Sequence, residues 1–121
     1  MARVEVSQNI GPHVVKSLDG VSSVATHTST AFLTETYTVH SYQVILSFTA
    51  VAPTDITFKI YATNDDDKNY QIIASYTIDA ANNSNGIMYS NVWNFKHAKC
   101  EVAIANIGSV GSVSVIEKHN P

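Results

Sequence analysis

Apolar side chains recur at every second position over long parts of this chain. In YQVILSFTA, Tyr42, Val44, Leu46 and Phe48 fall on one side. In DITFKIYA the set is Ile56, Phe58, Ile60 and Ala62, with Thr57, Lys59 and Tyr61 opposite. YQIIASYTI aligns Tyr70, Ile72, Ala74, Tyr76 and Ile78, and KCEVAIANI aligns Cys100, Val102 and Ile104. GSVSVIEK aligns Val113 and Val115 against Ser112 and Ser114. A period of two belongs to a strand with one face buried, because successive side chains leave a pleated backbone on opposite sides. Two runs are less regular: AFLTETYTV aligns Leu33, Tyr37 and Val39 with Glu35 among them, and GIMYSNVWNF is apolar on both parities.

Turn-forming residues separate these runs at Ala52–Asp55, Asn64–Asn69, Asn82–Gly86 and Gly108–Gly111. Two of these links are short, which predicts antiparallel hairpins. Seven or eight strands at this spacing predict an all-β protein, an antiparallel β-sandwich of jelly-roll or immunoglobulin-like type. The segment SLDGVSSVATHTST is vaguer and reads as a strand pair or as an arm lying on a neighbouring molecule. The expected organisation is therefore an N-terminal arm or edge strands over residues 1–30, followed by the sandwich over residues 31–121.

Composition narrows the picture. A length of 121 residues fits one domain with its own core, and 45% hydrophobic against 14% charged residues marks a globular chain. The net charge is −3 and the seven basic residues are scattered, so no basic stripe tracks a phosphate backbone and nucleic acid is not an expected partner. A single cysteine, Cys100, has no intrachain partner for a disulfide, which fits synthesis in a reducing cytosol. The start MARVEVSQNIG lacks the apolar core of a secretory signal. No apolar run approaches the roughly 20 residues of a spanning helix, so no membrane association is expected.

Candidate chemistry is sparse. In YATNDDDKNYQ, Asp65, Asp67 and Asn69 begin like a calcium loop, but an EF-hand needs Gly at its sixth position and Glu at its twelfth, where this chain has Tyr70 and Tyr76. A hairpin turn explains the same residues, since Asp and Asn tolerate left-handed backbone angles. A loose calcium site at Asp65, Asp67 and Asn69 is the alternative. The histidines His13, His27, His40, His97 and His119 show no zinc spacing and are expected in structural or surface roles. No serine sits in a nucleophile elbow, and NIGSVGSV joins strands instead of opening a helix. No catalytic residue, no cofactor and no enzymatic activity are expected. Trp93, Tyr89, Tyr61 and Tyr42 form a possible sugar-stacking or partner surface, set against the need of a small sandwich for aromatics in its core.

The stretch YQVILSFTAVAPTDITFKIYATNDDDKNYQII, closed by NFKHAKCEVAIANIGSVGSVSVIEK, resembles a recurring small β-sandwich of tailed-bacteriophage structural proteins. The resemblance covers roughly residues 40 to 118 and lies in the rhythm of strands and turns: a strand ending in the hairpin Thr63–Asp67, an aromatic (Tyr70) opening the next strand, and a last strand ending at Lys118. The chain differs in lacking a Gly after the hairpin aspartates and in carrying Tyr70 where Trp is usual. The resemblance implies a non-catalytic virion component, such as a capsid decoration or cement protein or a head-fibre or tail-surface protein. Its implied partners are the major capsid protein or other virion proteins and further copies of itself, a trimer being favoured. The rival reading is a carbohydrate-binding sandwich that adheres to surface glycans.

Overall fold

The computed structural model describes residues 11–51, 54–79, 85–108 and 111–121. The described residues form nine strands: β1 (His13–Val21), β2 (Thr26–Thr28), β3 (Phe32–Leu33), β4 (Val39–Ser47), β5 (Thr54–Thr63), β6 (Gln71–Ile78), β7 (Gly86–Val92), β8 (His97–Asn106) and β9 (Ser112–Asn120). They form two antiparallel sheets, one in the order β1-β9-β4-β7 and the other in the order β2-β8-β5-β6, with β3 also paired to β8. The expectation of an all-β antiparallel sandwich holds.

The strand order selects the jelly roll over the immunoglobulin-like alternative. Strands β4 and β5, β6 and β7, and β8 and β9 each lie in different sheets. The turn signals at 52–55, 82–86 and 108–111 therefore separate strands of different sheets, and of the four turn signals only Asn64–Asn69 joins neighbouring strands as a hairpin. Turn composition reports that the chain reverses, but not whether the next strand hydrogen-bonds to the last one or crosses to the facing sheet.

The inward set follows the alternation where a strand lies mid-sheet. Tyr42, Val44 and Leu46 of β4, Ile56, Phe58, Ile60 and Ala62 of β5, Cys100, Val102 and Ile104 of β8, and Val113 and Val115 of β9 are all buried. Together with Leu18 and Ile78 most of them make one core between the sheets. Removing such apolar surface from water, at about 25 cal/mol per Å², is the main force closing the sandwich.

Two expected strand faces are corrected. In β6, Ile56 pairs with Ile78, Phe58 with Tyr76 and Ile60 with Ala74, but a bulge shifts the next pair to Tyr61–Ile72. The shift turns Ile73 toward the core and leaves Ile72 exposed, because one extra residue inverts every later side chain. Tyr76 keeps the inward parity, yet β6 ends its sheet and the ring is 42% exposed. In AFLTETYTV only Phe32–Leu33 and Val39, the first residue of β4, are in strands, and Leu33 is exposed.

The N-terminal third contributes to the sandwich itself. β1 pairs along β9 and places Leu18 in the core, and β2 pairs with β8. Of the segment expected as an arm or edge strands, residues 1–10 lie outside the described residues. Gly86 opens β7 with φ +115°, and a Cβ there would sit 1.7 Å from the Val44 carbonyl oxygen, so the close approach of β7 to β4 needs glycine.

Candidate functional site

Alternation carried past the apolar part of β9 and back along β4 places polar residues inside. Glu117 and His119 continue the inward set of Val113 and Val115, and His40 precedes Tyr42 on the same parity. All three are fully buried at one end of the core. His119 Nε2 lies 3.0 Å from Glu117 Oε1, His40 Nδ1 lies 2.8 Å from His119 Nδ1, and His40 Nε2 lies 2.9 Å from the Trp93 carbonyl oxygen.

Donor and acceptor bookkeeping fixes the proton content of this chain of bonds. The Trp93 carbonyl only accepts, so His40 Nε2 carries a hydrogen. Between the two Nδ1 atoms one must donate. If Glu117 is ionised, His119 Nε2 donates to it, and one of the two imidazoles then holds two protons. If Glu117 is protonated it donates to His119 Nε2, and His119 Nδ1 donates to a neutral His40. In every arrangement that makes all the bonds, the His40–His119–Glu117 set carries one shared proton and no net charge. That neutrality is what allows three titratable groups to sit in the core.

Aromatic rings wall the set in. Trp93 stacks on His40 with centroids 3.5 Å apart, Phe32 stacks on His119 at 4.6 Å, and Tyr42 meets His119 edge-on. Burial lowers the His40 pKa below its ordinary value of 6.5, opposed by the Trp93 carbonyl and reinforced by His119. Burial raises the Tyr42 phenol, aided by the Glu117 charge, and its hydroxyl has no partner of good geometry among the described residues. Cys100 joins from the facing sheet, with Sγ 3.8 Å from Glu117 Oε2 and 3.4 Å from Ser17 Oγ. Its thiol is pushed up to about 12, chiefly by burial and then by Glu117. A thiol so protonated at neutral pH is a poor nucleophile.

The acidic hairpin is tied within itself. Asn69 Nδ2 donates to Asp65 Oδ2 at 2.6 Å, the Tyr70 hydroxyl donates to Asp67, and Lys96 pairs with Asp66. Asp67 and Asn69 adopt φ of 56° and 58°, the left-handed geometry that a tight turn requires. Of the candidate calcium ligands the fold brings Asp65 and Asn69 together and turns Asp67 toward Tyr70. No group of three or more His, Cys, Asp or Glu among the described residues is placed to hold a metal ion. Beside the hairpin lies a shallow cleft of about 500 Å³ lined by Asn64, Asp65, Asn69, Gln71 and Phe95, among others.

Of the four aromatics read as a sugar-stacking or partner surface, Tyr42 is buried in the core and the other three are separated. Trp93 packs onto His40 and the core, Tyr89 packs beside Tyr42 and Tyr76, and Tyr61 stands on the outer face of the other sheet, where its hydroxyl reaches Glu101 at 3.3 Å. No ring contact joins Tyr61 to Tyr89 or Trp93 among the described residues.

No family model and no curated protein matches the chain. Among solved structures it is similar to the SPBc2 prophage-derived protein YomS, with a TM-score of 0.62 at 12% identity over 97% of this chain and 98% of that one. It is similar also to VP2 of the infectious bursal disease virus subviral particle, with a TM-score of 0.54 at 11% identity over 90% of this chain. There it spans 32% of the larger chain. At these identities the shared property is the fold: an antiparallel β-sandwich that in the first case extends over both chains almost end to end.

Proposed function

We propose that this chain is a non-catalytic structural protein of a phage virion, a capsid decoration or cement protein or a head-fibre or tail-surface component. The observation that carries the reading is the fold overlap with a prophage-derived protein, which covers 97% of this chain and 98% of that one. The interior supports it. The buried His40–His119–Glu117 set has its hydrogen bonds spent on itself, and the Cys100 thiol is held protonated, so these groups serve packing rather than turnover. Partners are the major capsid protein or other virion proteins, and a small homo-oligomer is the working form. In a symmetric particle many weak contacts add, so each copy needs only modest affinity. The test is mass spectrometry of density-purified particles from the strain that carries the gene. Stoichiometric recovery of the chain is expected, and its absence from intact particles refutes the assignment.

A second reading, a carbohydrate-binding sandwich, draws support from the cleft lined by Asn64, Asp65, Asn69, Gln71 and Phe95, where amide and acid groups converge beside one aromatic ring. A glycan array probed with the wild type and with Phe95→Ala and Gln71→Ala separates the two. Binding lost in both variants supports the sugar reading, and no binding by the wild type removes it.

A further inference from the structure

We propose that the open edge formed by β6 and β7 is a self-association surface on which a second copy of this chain docks, edge to edge, about a two-fold axis. β6 and β7 end their respective sheets on the same side of the sandwich, where Tyr76 and Tyr89 meet with ring centroids 5.4 Å apart. Their sequences, QIIASYTI and GIMYSNV, contain no Asp, Glu, Lys, Arg or Pro. Ile72 and Tyr76 of β6 and Met88 and Val92 of β7 are exposed, Met88 at 70% and Val92 at 69%, and a hollow of about 300 Å³ between the two strands is lined by Tyr76, Thr77, Ile87, Met88 and Tyr89.

The opposite edge shows what protection looks like in the same molecule. β1 carries the Lys16–Asp19 ion pair and two register shifts against β9, while β2 and β3 are three and two residues long. Charges, bulges and short strands are the devices that keep a sheet edge from pairing with another chain. One side of the sandwich has all of them; among the described residues the other side has only the bulge at Ile73 of β6, with no charged residue in either strand and no strand shorter than seven residues.

Electrostatics selects the occupant. A strand bearing charges would bury them unpaired against Met88, Ile72 and Tyr76, at a high desolvation cost. A second copy brings the same uncharged strands. Antiparallel pairing about a two-fold axis also sends the two Asp65–Asp67 hairpins, which precede β6, to opposite ends of the joint. Eight residues of strand separate them by about 25 Å, well beyond the screening length of about 8 Å at physiological salt. Parallel pairing would set the two acidic hairpins side by side. Because the surface lies on one side only, it closes as a dimer rather than as the trimer that the resemblance implies.

The inference is independent of residence in a virion. Light scattering after size exclusion of the full chain is expected to read twice the 13.1 kDa monomer mass. Met88→Lys and Tyr76→Lys are each expected to return it to one copy with the β-type circular dichroism unchanged. Val14→Lys, on the guarded edge, should leave the dimer intact. A monomeric wild type, a mass of three copies, or Lys variants that fold and stay dimeric would each overturn the proposal. So would a monomer that associates only after residues 1–10 are deleted, since that result would put the chain's own N-terminal segment on the edge.

Discussion

Replacing His40 by leucine tests the shared-proton account of the buried set. The substitution keeps the site apolar and filled, but it removes the donor to the Trp93 carbonyl and the partner of His119 Nδ1. Each buried polar group left without a partner costs about 1–3 kcal/mol, so the expected loss for the two at neutral pH is about 2–6 kcal/mol. The pH dependence is the sharper signature. The folded-state pKa of His40 is lowered from 6.5, first by burial, so below that value the unfolded chain binds more protons at this position than the folded one. Its contribution is therefore whole above about pH 6.5 and lost as pH falls toward the folded pKa, with a slope of at most about 1.4 kcal/mol per pH unit. The groups facing His40 are His119 and Glu117 on β9, with Tyr42, Cys100 and the Trp93 ring around them. Leucine removes this acid limb, so the stability gap between wild type and variant should narrow as pH drops from about 7 to about 5. Urea titrations followed by far-ultraviolet circular dichroism measure the gap at each pH. A gap constant across that range, or a variant as stable as the wild type at neutral pH, would show that the three residues do not share a proton in the way their geometry requires.

Other consequences are simpler to read. Phe58→Ala empties a site with no solvent exposure between the sheets, and a loss of about 3–5 kcal/mol is expected in the urea midpoint. Gly86→Ala places a methyl group against the Val44 carbonyl at a φ that L-residues avoid; destabilisation of about 2 kcal/mol or more, or failure to accumulate folded protein, is the expected outcome. Cys100 should resist iodoacetamide in the folded protein at mildly alkaline pH and react once the chain is unfolded, as mass spectrometry of the intact chain will show.

Much of the fold was legible because mid-sheet strands obey one local rule. Ile56, Phe58 and Ile60, or Cys100, Val102 and Ile104, lie between neighbours on both sides, and parity alone decides which way each side chain points. The buried polar set carried the same signal: His40, Glu117 and His119 sit on the inward parity of β4 and β9. It was missed because the alternation was followed only through apolar letters. The rule failed at β6, where the bulge opposite Ile60 and Tyr61 shifts the parity and an edge position leaves Tyr76 half in water.

By itself, the order of residues determined that this chain would form antiparallel strands, which faces of β4, β5, β8 and β9 would turn inward, and that the Asp65–Asp67 stretch would be a turn. These follow from side-chain direction and local backbone preference, which act between near neighbours. Only the tertiary structure decided that β4 and β5, β6 and β7, and β8 and β9 lie in opposite sheets and that two histidines 79 positions apart share a hydrogen bond. It also decided that uncharged β6 and β7 form a common edge while charged, bulged β1 guards the other. Those outcomes depend on which strands become neighbours across the sandwich, a choice set by the packing of the whole core.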